Sequence, residues 1–189
     1  MSLRLRMLGL ENTSELFLLI EKNREYLERW FEWTHDIKSE QECLNFIEQC
    51  NQKYQSSKAF DLGIWLDDDL IGMIGFYEIN WTHRHAEISY WITQEQQGKG
   101  YVRQCVQAMM TYAFKEYNLN RIEILCALDN LRSRSVAEKL GFTFEGVKRE
   151  DFQFMGRFFD EACYSFLARD FHVTGEEPYA QLARQICTP

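Results

Sequence analysis

The sequence predicts an α/β (α+β) fold in which helices flank one mixed sheet, and three observations carry that reading. Apolar residues switch repeatedly between two-residue alternation and helical spacing along the 189 residues. Residues 60–66 and 70–79 are rich in Ile, Leu, Phe and Tyr and are joined only by Asp67-Asp68-Asp69, the pattern of an antiparallel hairpin. Between Arg84 and Ala127 a strand, a helix and a second strand follow directly, which makes those two strands parallel with a right-handed crossover.

Taken in order, Leu3, Leu5 and Met7 alternate as a short strand. Leu16, Leu19, Ile20, Leu27, Trp30 and Phe31 then recur at helical spacing, with Asn23 alone breaking the stripe. Ser39 with Glu42 three residues on has the capping-box spacing and opens a second helix, striped by Cys43, Phe46, Ile47, Cys50 and Tyr54. The hairpin follows. A strand over residues 84–92 leads into Gly98-Lys99-Gly100, after which Val102, Cys105, Val106, Met109, Met110, Ala113 and Tyr117 trace one helix face. Residues 121–127 read as a buried strand, and residues 131–140 as a short helix that stops where Gly141 suits a left-handed position. Two strands near residues 144–152 and 158–167 close the fold. With prolines only at 178 and 189 and no Gly/Ser-rich linker, residues 1–170 form one domain, and 171–189 a polar C-terminal tail with one weak helical pattern around residues 179–186.

Composition narrows the function. With 46% apolar and 15% aromatic residues the chain can bury a real core. Its 21 Lys+Arg against 29 Asp+Glu give a net charge of −8, with no basic concentration able to displace counterions from a nucleic acid. An acidic surface favours amine-bearing partners. Cys43, Cys50, Cys105, Cys126, Cys163 and Cys187 form no CxxC pair and fall mostly in apolar stretches, as reduced core thiols of a cytoplasmic protein do. The first residues alternate polar with apolar, and no stretch approaches eighteen apolar residues, so neither a signal peptide nor a membrane span is expected. The association state is open between monomer and homodimer.

Glu95-Gln96-Gln97-Gly98-Lys99-Gly100-Tyr101-Val102 lies between a strand and a helix, where glycines let the backbone approach a ligand and helix-end amides point outward. Such a loop binds pyrophosphate, although GxG turns also serve as plain hinges. Here the sequence resembles the GNAT superfamily of N-acetyltransferases, in the branch of the ribosomal-protein alanine and serine N-terminal acetyltransferases. The resemblance rests on segments 86–92, Gln97-Gly98-Lys99-Gly100, Asp129-Asn130-Leu131-Arg132-Ser133 and Glu138-Lys139-Leu140-Gly141-Phe142, in that order, with Glu145-Gly146 and Met155-Gly156-Arg157 followed by Asp160, and covers about residues 3–170. It implies a GNAT-type mixed, mostly antiparallel twisted sheet with one central parallel pair, whose splayed strands hold the pantetheine arm of acetyl-coenzyme A. It further implies cofactor binding by Gln97, Gly98, Lys99, Gly100, Tyr101, Val102, Asn130 and Ser133. Glu95 stands where the superfamily usually has Gln or Arg. A carboxylate would repel pyrophosphate, so Glu95 should turn to solvent.

Attack on a thioester needs a neutral amine, a proton acceptor and a proton for the leaving thiolate. Glu87, on the strand before the loop where some members place a catalytic glutamate, is the candidate base, directly or through water; it could equally pair with a cation. Glu150 and Asp151 are reserves, because the related enzymes carry an acid in this region, but alignment on Met155-Gly156 puts Phe152 at that place. Ser133 falls near the thioester sulfur and Asn130 against the pantetheine, while Asn130 or Asp129 also suits a helix cap. Many members carry a tyrosine as general acid seven residues after this Asn, where this chain has Ala137, which leaves Ser133 or solvent as the acid. His83, His85 and Glu87 alternate as if for a metal, yet adjacent strand positions rarely complete a triad, and no metal is expected. Trp33 and Trp81, with Trp30 and Phe31, fall where the family has its substrate-facing loops, although aromatics at helical spacing are commonly core. The resulting expectation is transfer of acetyl from acetyl-CoA to the N-terminal α-amine of a protein such as a ribosomal protein. A small amine (antibiotic, polyamine or amino acid) and a non-catalytic acyl-CoA-binding module are the alternatives.

Overall fold

A computed structural model describes residues 2–171 together with Leu182 and Ala183. The chain builds β1 (Leu3–Arg6), α1 (Thr13–Leu27), α2 (Glu40–Gln55), β2 (Phe60–Leu66), β3 (Asp69–Asn80), β4 (His85–Ile92), α3 (Tyr101–Lys115), β5 (Arg121–Ala127), α4 (Leu131–Lys139), β6 (Thr143–Phe154) and β7 (Arg157–Leu167). The seven strands form one sheet in the order β1-β2-β3-β4-β5-β7-β6. Among the described residues only β4 and β5 run parallel; every other neighbour is antiparallel. This is the mixed sheet that the element order predicts.

Strand alternation sends side chains to two layers. On one face α1 and α2 set Leu16, Ile20, Leu27, Cys43 and Ile47 against Trp65, Leu70, Met73 and Trp91. On the other, α3 sets Cys105, Val106 and Met109 against Phe76, Ile88 and Ile122. Leu182 and Ala183 are helical and buried in that second cluster, whereas the rest of the predicted tail helix lies outside the described residues.

Local chemistry fixes the ends of these elements. Ser39 Oγ accepts from Glu42 N–H at 3.3 Å, and the Glu42 carboxylate accepts from Lys38 N–H at 2.8 Å, so the box closes one residue earlier than its usual form. After α4, Gly141 at φ +79 lets its own N–H reach Glu138 C=O and Phe142 N–H reach Ala137 C=O, a Schellman end. β6 and β7 are longer than predicted because Met155 and Gly156 both take positive φ, as a two-residue hairpin turn requires.

Three further boundaries differ from the sequence reading. α1 stops at Leu27 rather than at Phe31, because Arg24 donates to Thr34 C=O (2.7 Å) and to Ile37 C=O, pulling the chain into a 3-10 turn at Glu32–His35. α3 stops at Lys115, and Tyr117 joins an aromatic cluster with Tyr112 (4.7 Å) and Phe60 (6.0 Å) instead of extending the helix. β4 begins at His85, so His83 lies in the preceding turn and is not on a strand with Glu87.

Phe76, fully buried and edge-on to Phe60 at 5.0 Å, sits at the centre of the sheet's α3 side. Phe76→Ala should lower stability by about 3–5 kcal/mol, read from the urea midpoint with the slope unchanged.

Candidate active site

β4 and β5 are paired only over His85↔Arg121, Ala86↔Ile122 and Glu87↔Glu123, yet β4 runs on to Ile92 and β5 to Ala127. Beyond Glu87 the two strands part. A cleft of about 1110 Å³ runs through the gap, lined along its length by both strands.

The loop between β4 and α3 lines one arm of this cleft. Gly98 and Gly100 have φ +76 and +84, which side chains resist. A Cβ on Gly98 would meet nothing within 4 Å, so conformation rather than crowding demands glycine there. Helical bonding starts with Gln104 N–H donating to Gly100 C=O at 3.2 Å, and the Val102 and Arg103 amides lie ahead of it, where a helix end can bind an anion. Lys99, Arg103, Arg132 and Lys139 also line the cleft, with Asp129 among them. Glu95 turns away to pair with Lys22 at 2.8 Å, and that ammonium holds its carboxyl below the usual range.

α1 grips the loop from behind, which the sequence reading did not foresee. Asn23 is buried on the α1 stripe; its Oδ1 accepts from Gln94 N–H at 3.1 Å and its Nδ2 donates to Leu19 C=O at 2.9 Å. A polar residue interrupting an apolar stripe was the available signal. Arg132, at the start of α4, donates to Gln97 Oε1 and closes the loop from the opposite side.

At the centre of the cleft Asn130 caps α4, its Oδ1 accepting from Ser133 N–H at 3.2 Å, so the capping reading of Asn130 holds while the residue also lines the cleft. Ser133 Oγ lies 2.9 Å from the Tyr90 hydroxyl, which also donates to Ser133 C=O at 3.3 Å. Burial pushes the Tyr90 hydroxyl far above its ordinary pKa. Ala137 is fully buried, and it is Tyr90, from β4, that brings a phenol to Ser133.

Glu87 and Tyr90 are three residues apart on β4, so they leave opposite faces of the sheet and meet the cleft from its two sides. Burial, then the Glu161 and Glu123 carboxylates, push Glu87 up to about 7, with Lys148 pulling it down. Trp30, Trp33, Tyr77, Phe152 and Phe159 line the cleft together with Glu87. Tyr77 is the residue bulged out of β3 between Phe76, opposite Ile88, and Glu78, opposite Glu87, and it is 65% exposed. Trp33 stacks on Phe46 at 5.2 Å, half in the core and half on the cleft.

Trp81 does not join this wall. Its Nε1 donates to Ser57 C=O at 2.6 Å and its ring lies 5.1 Å from Tyr117, in the turn ahead of β4, at the opposite end of that strand from the Gly98–Gly100 loop. Asp151 meets Lys148 at 3.4 Å, Glu150 is exposed, and Phe152 faces the cleft. Glu123, Glu145 and Cys163 bring possible metal ligands within 4.8 Å of one another, but both carboxylates already bind the Arg121 guanidinium, which occupies the cation's place.

Residues 2–143 match the model of the acetyltransferase (GNAT) domain. The chain belongs to the GNAT acetyltransferase family. It is 31% identical over 149 residues to the ribosomal-protein-serine acetyltransferase of Escherichia coli (strain K12), covering 79% of this chain and 83% of that one. It is also 31% identical over 143 residues to the spermidine N(1)-acetyltransferase of Vibrio cholerae, covering 75% and 79%. Among solved structures, the microcin C7 self-immunity acetyltransferase MccE in complex with acetyl-CoA and AMP superposes with a TM-score of 0.83 at 28% identity, covering 87% of this chain and 92% of that one. This GNAT enzyme is therefore an N-acetyltransferase that uses acetyl-CoA. No helix among its described residues is long and apolar enough to cross a membrane.

Two measurements check the geometry. A β-carbon at Gly98 forces a side chain into left-handed backbone at about 1–2 kcal/mol, so Gly98→Ala should weaken acetyl-CoA binding roughly tenfold or more by calorimetry while the fold persists. Because Glu87 keeps its proton to higher pH when folded than when unfolded, it withdraws stability as pH rises from the ordinary glutamate range through about 7. The Tm of Glu87→Gln should thus gain on the wild type between pH 5 and pH 8; an unchanging difference would mean that Glu87 titrates as an ordinary glutamate.

Proposed function

We propose that this GNAT enzyme acetylates the N-terminal α-amine of a protein, with a ribosomal protein as the expected acceptor. The observation that carries the reading is the aromatic arm of the cleft, walled by α1's exit, the β3 bulge and the β6–β7 hairpin, with Glu87 inside it. Such an arm suits an extended peptide N-terminus. Proton affinities support the same acceptor. An α-ammonium near pKa 8 gives its proton to a carboxylate near 7 at a cost of about 1.4 kcal/mol, whereas an alkylammonium near 10.4 requires about 4.6.

In this mechanism the parting of β4 and β5 would hold acetyl-CoA, the amides following Gly98 would bind its pyrophosphate, and Ser133 would stand beside its thioester. Glu87 takes the first proton from the acceptor's ammonium, directly or through one water, and passes it to solvent. The freed nitrogen attacks the thioester carbon, and the C–S bond breaks with its electron pair on sulfur. The amine's second proton leaves as the amide forms, and the thiolate gains one through the Ser133 hydroxyl and its Tyr90 partner.

A polyamine acceptor is the second reading, favoured by the spermidine-acetylating relative and by a second carboxylate, Glu161, on the same cleft. Thiol release from acetyl-CoA, measured with peptides of differing N-termini beside spermidine, separates the two. Release with peptides supports the first reading, and release with spermidine alone replaces it. With the responding acceptor, kcat/KM should fall below an acidic limb near pH 7, and Glu87→Gln should lose that limb along with roughly 10²–10⁴ of rate at unchanged acetyl-CoA affinity. Ser133→Ala and Tyr90→Phe should lower kcat more than they raise KM.

A further inference from the structure

On β6, Phe152 lines the cleft with its ring 5.5 Å from that of Phe159 on β7 and nearly parallel to it. Register shows which carboxylates stand in the same cleft. Glu87 is opposite Glu123 across the parallel pair, Glu123 is opposite Ser165 on β7, and Glu161 lies four residues from Ser165 on the same strand. With two-residue alternation, Glu87, Glu123 and Glu161 all leave the same face of the sheet. Glu161 lines the cleft with Glu87.

Glu161 is held rather than loose. Lys148, its partner across the β6–β7 ladder, donates to it at 3.2 Å and to Asp151 at 3.4 Å. Two carboxylates thus share one ammonium, and the trio keeps a net negative charge when all are ionised. Its side chain is only 15% exposed, so water screens that charge poorly. Of the charged groups near Glu87, Glu161 on β7, Glu123 on β5 and Glu78 on β3 raise it and Lys148 on β6 lowers it. Among them Glu123 is tied to Arg121 at 2.6 Å.

We propose that Glu161 is a positioning residue that acts through Glu87: its charge, fixed over the cleft by Lys148, keeps Glu87 able to hold a proton at neutral pH. The inference rests on Glu87 being the base. Like-charge proximity is the physical means, because two carboxylates in one poorly hydrated cleft cannot both ionise at their ordinary pH. Burial, opposed by Lys148, raises Glu161 as well.

The test is the pH profile of kcat/KM for the responding acceptor in Glu161→Gln and Glu161→Asp. Glu161→Gln should move the acidic limb to lower pH by about half a unit or more, and Glu161→Asp should restore it toward the wild-type position. A lower rate with the limb unmoved in Glu161→Gln would make Glu161 merely structural and overturn the proposal. Should Glu161→Gln not fold, Lys148→Gln removes the cation facing the pair, and its limb should move up; an unmoved limb would overturn the proposal equally. If Glu87→Gln itself keeps the limb, the base assignment fails and this inference with it. Loss of the limb in Glu87→Gln beside an unmoved limb in Glu161→Gln sinks the inference alone.

Discussion

The parting of β4 from β5 is the constraint on which the rest depends. A parallel ladder that stops after Glu87 and Glu123 leaves two facing strand edges whose N–H and C=O groups have no partner in the sheet. Their outer flanks are secure, β4 against β3 and β5 against β7, so the gap persists without unravelling the sheet. Unpaired strand edges of this kind suit an amide-bearing chain, and the pantetheine of acetyl-CoA carries two amides. The Gly98–Gly100 loop, the Asn130 cap and the Glu87 carboxylate all line this gap, so in the proposed mechanism one break in hydrogen bonding would align acetyl-CoA with both sides of the chemistry.

α1 links the two arms of the cleft. Asn23 and Lys22 hold Gln94 and Glu95 just ahead of the Gly98–Gly100 loop, and the chain leaving α1 supplies Trp30 and Trp33 to the aromatic arm. Burying an amide on an apolar stripe is costly unless its polar atoms are bonded, and both heteroatoms of the Asn23 side chain are. A polar residue retained in such a place fixes geometry rather than adding burial. It sets the loop against a helix that is itself anchored by Leu16, Ile20 and Leu27.

Much of this was legible in the sequence because it is local. Alternation, helical stripes, the Ser39/Glu42 box and Gly141 gave the strands and helices, and the two glycines marked a loop that lines the cleft. What escaped depends on residues distant in the chain. Arg24 ends α1 by binding carbonyls ten and thirteen residues away, which no stripe reveals. Tyr90 reaches Ser133 across 43 positions, and Glu161 shares a cleft with Glu87 through the register of three strands. Trp81 misled for the converse reason: an aromatic near the sheet's end can serve either end, and here Tyr117 and Ser57 claim it.

Amide hydrogen exchange with and without acetyl-CoA tests the central claim most directly. Slowed exchange on binding, confined to residues 98–103 and to the portions of β4 and β5 beyond Glu87 and Glu123, is the predicted result. Protection elsewhere, with both strand edges exchanging as before, would contradict a cofactor seated in the parting of the sheet.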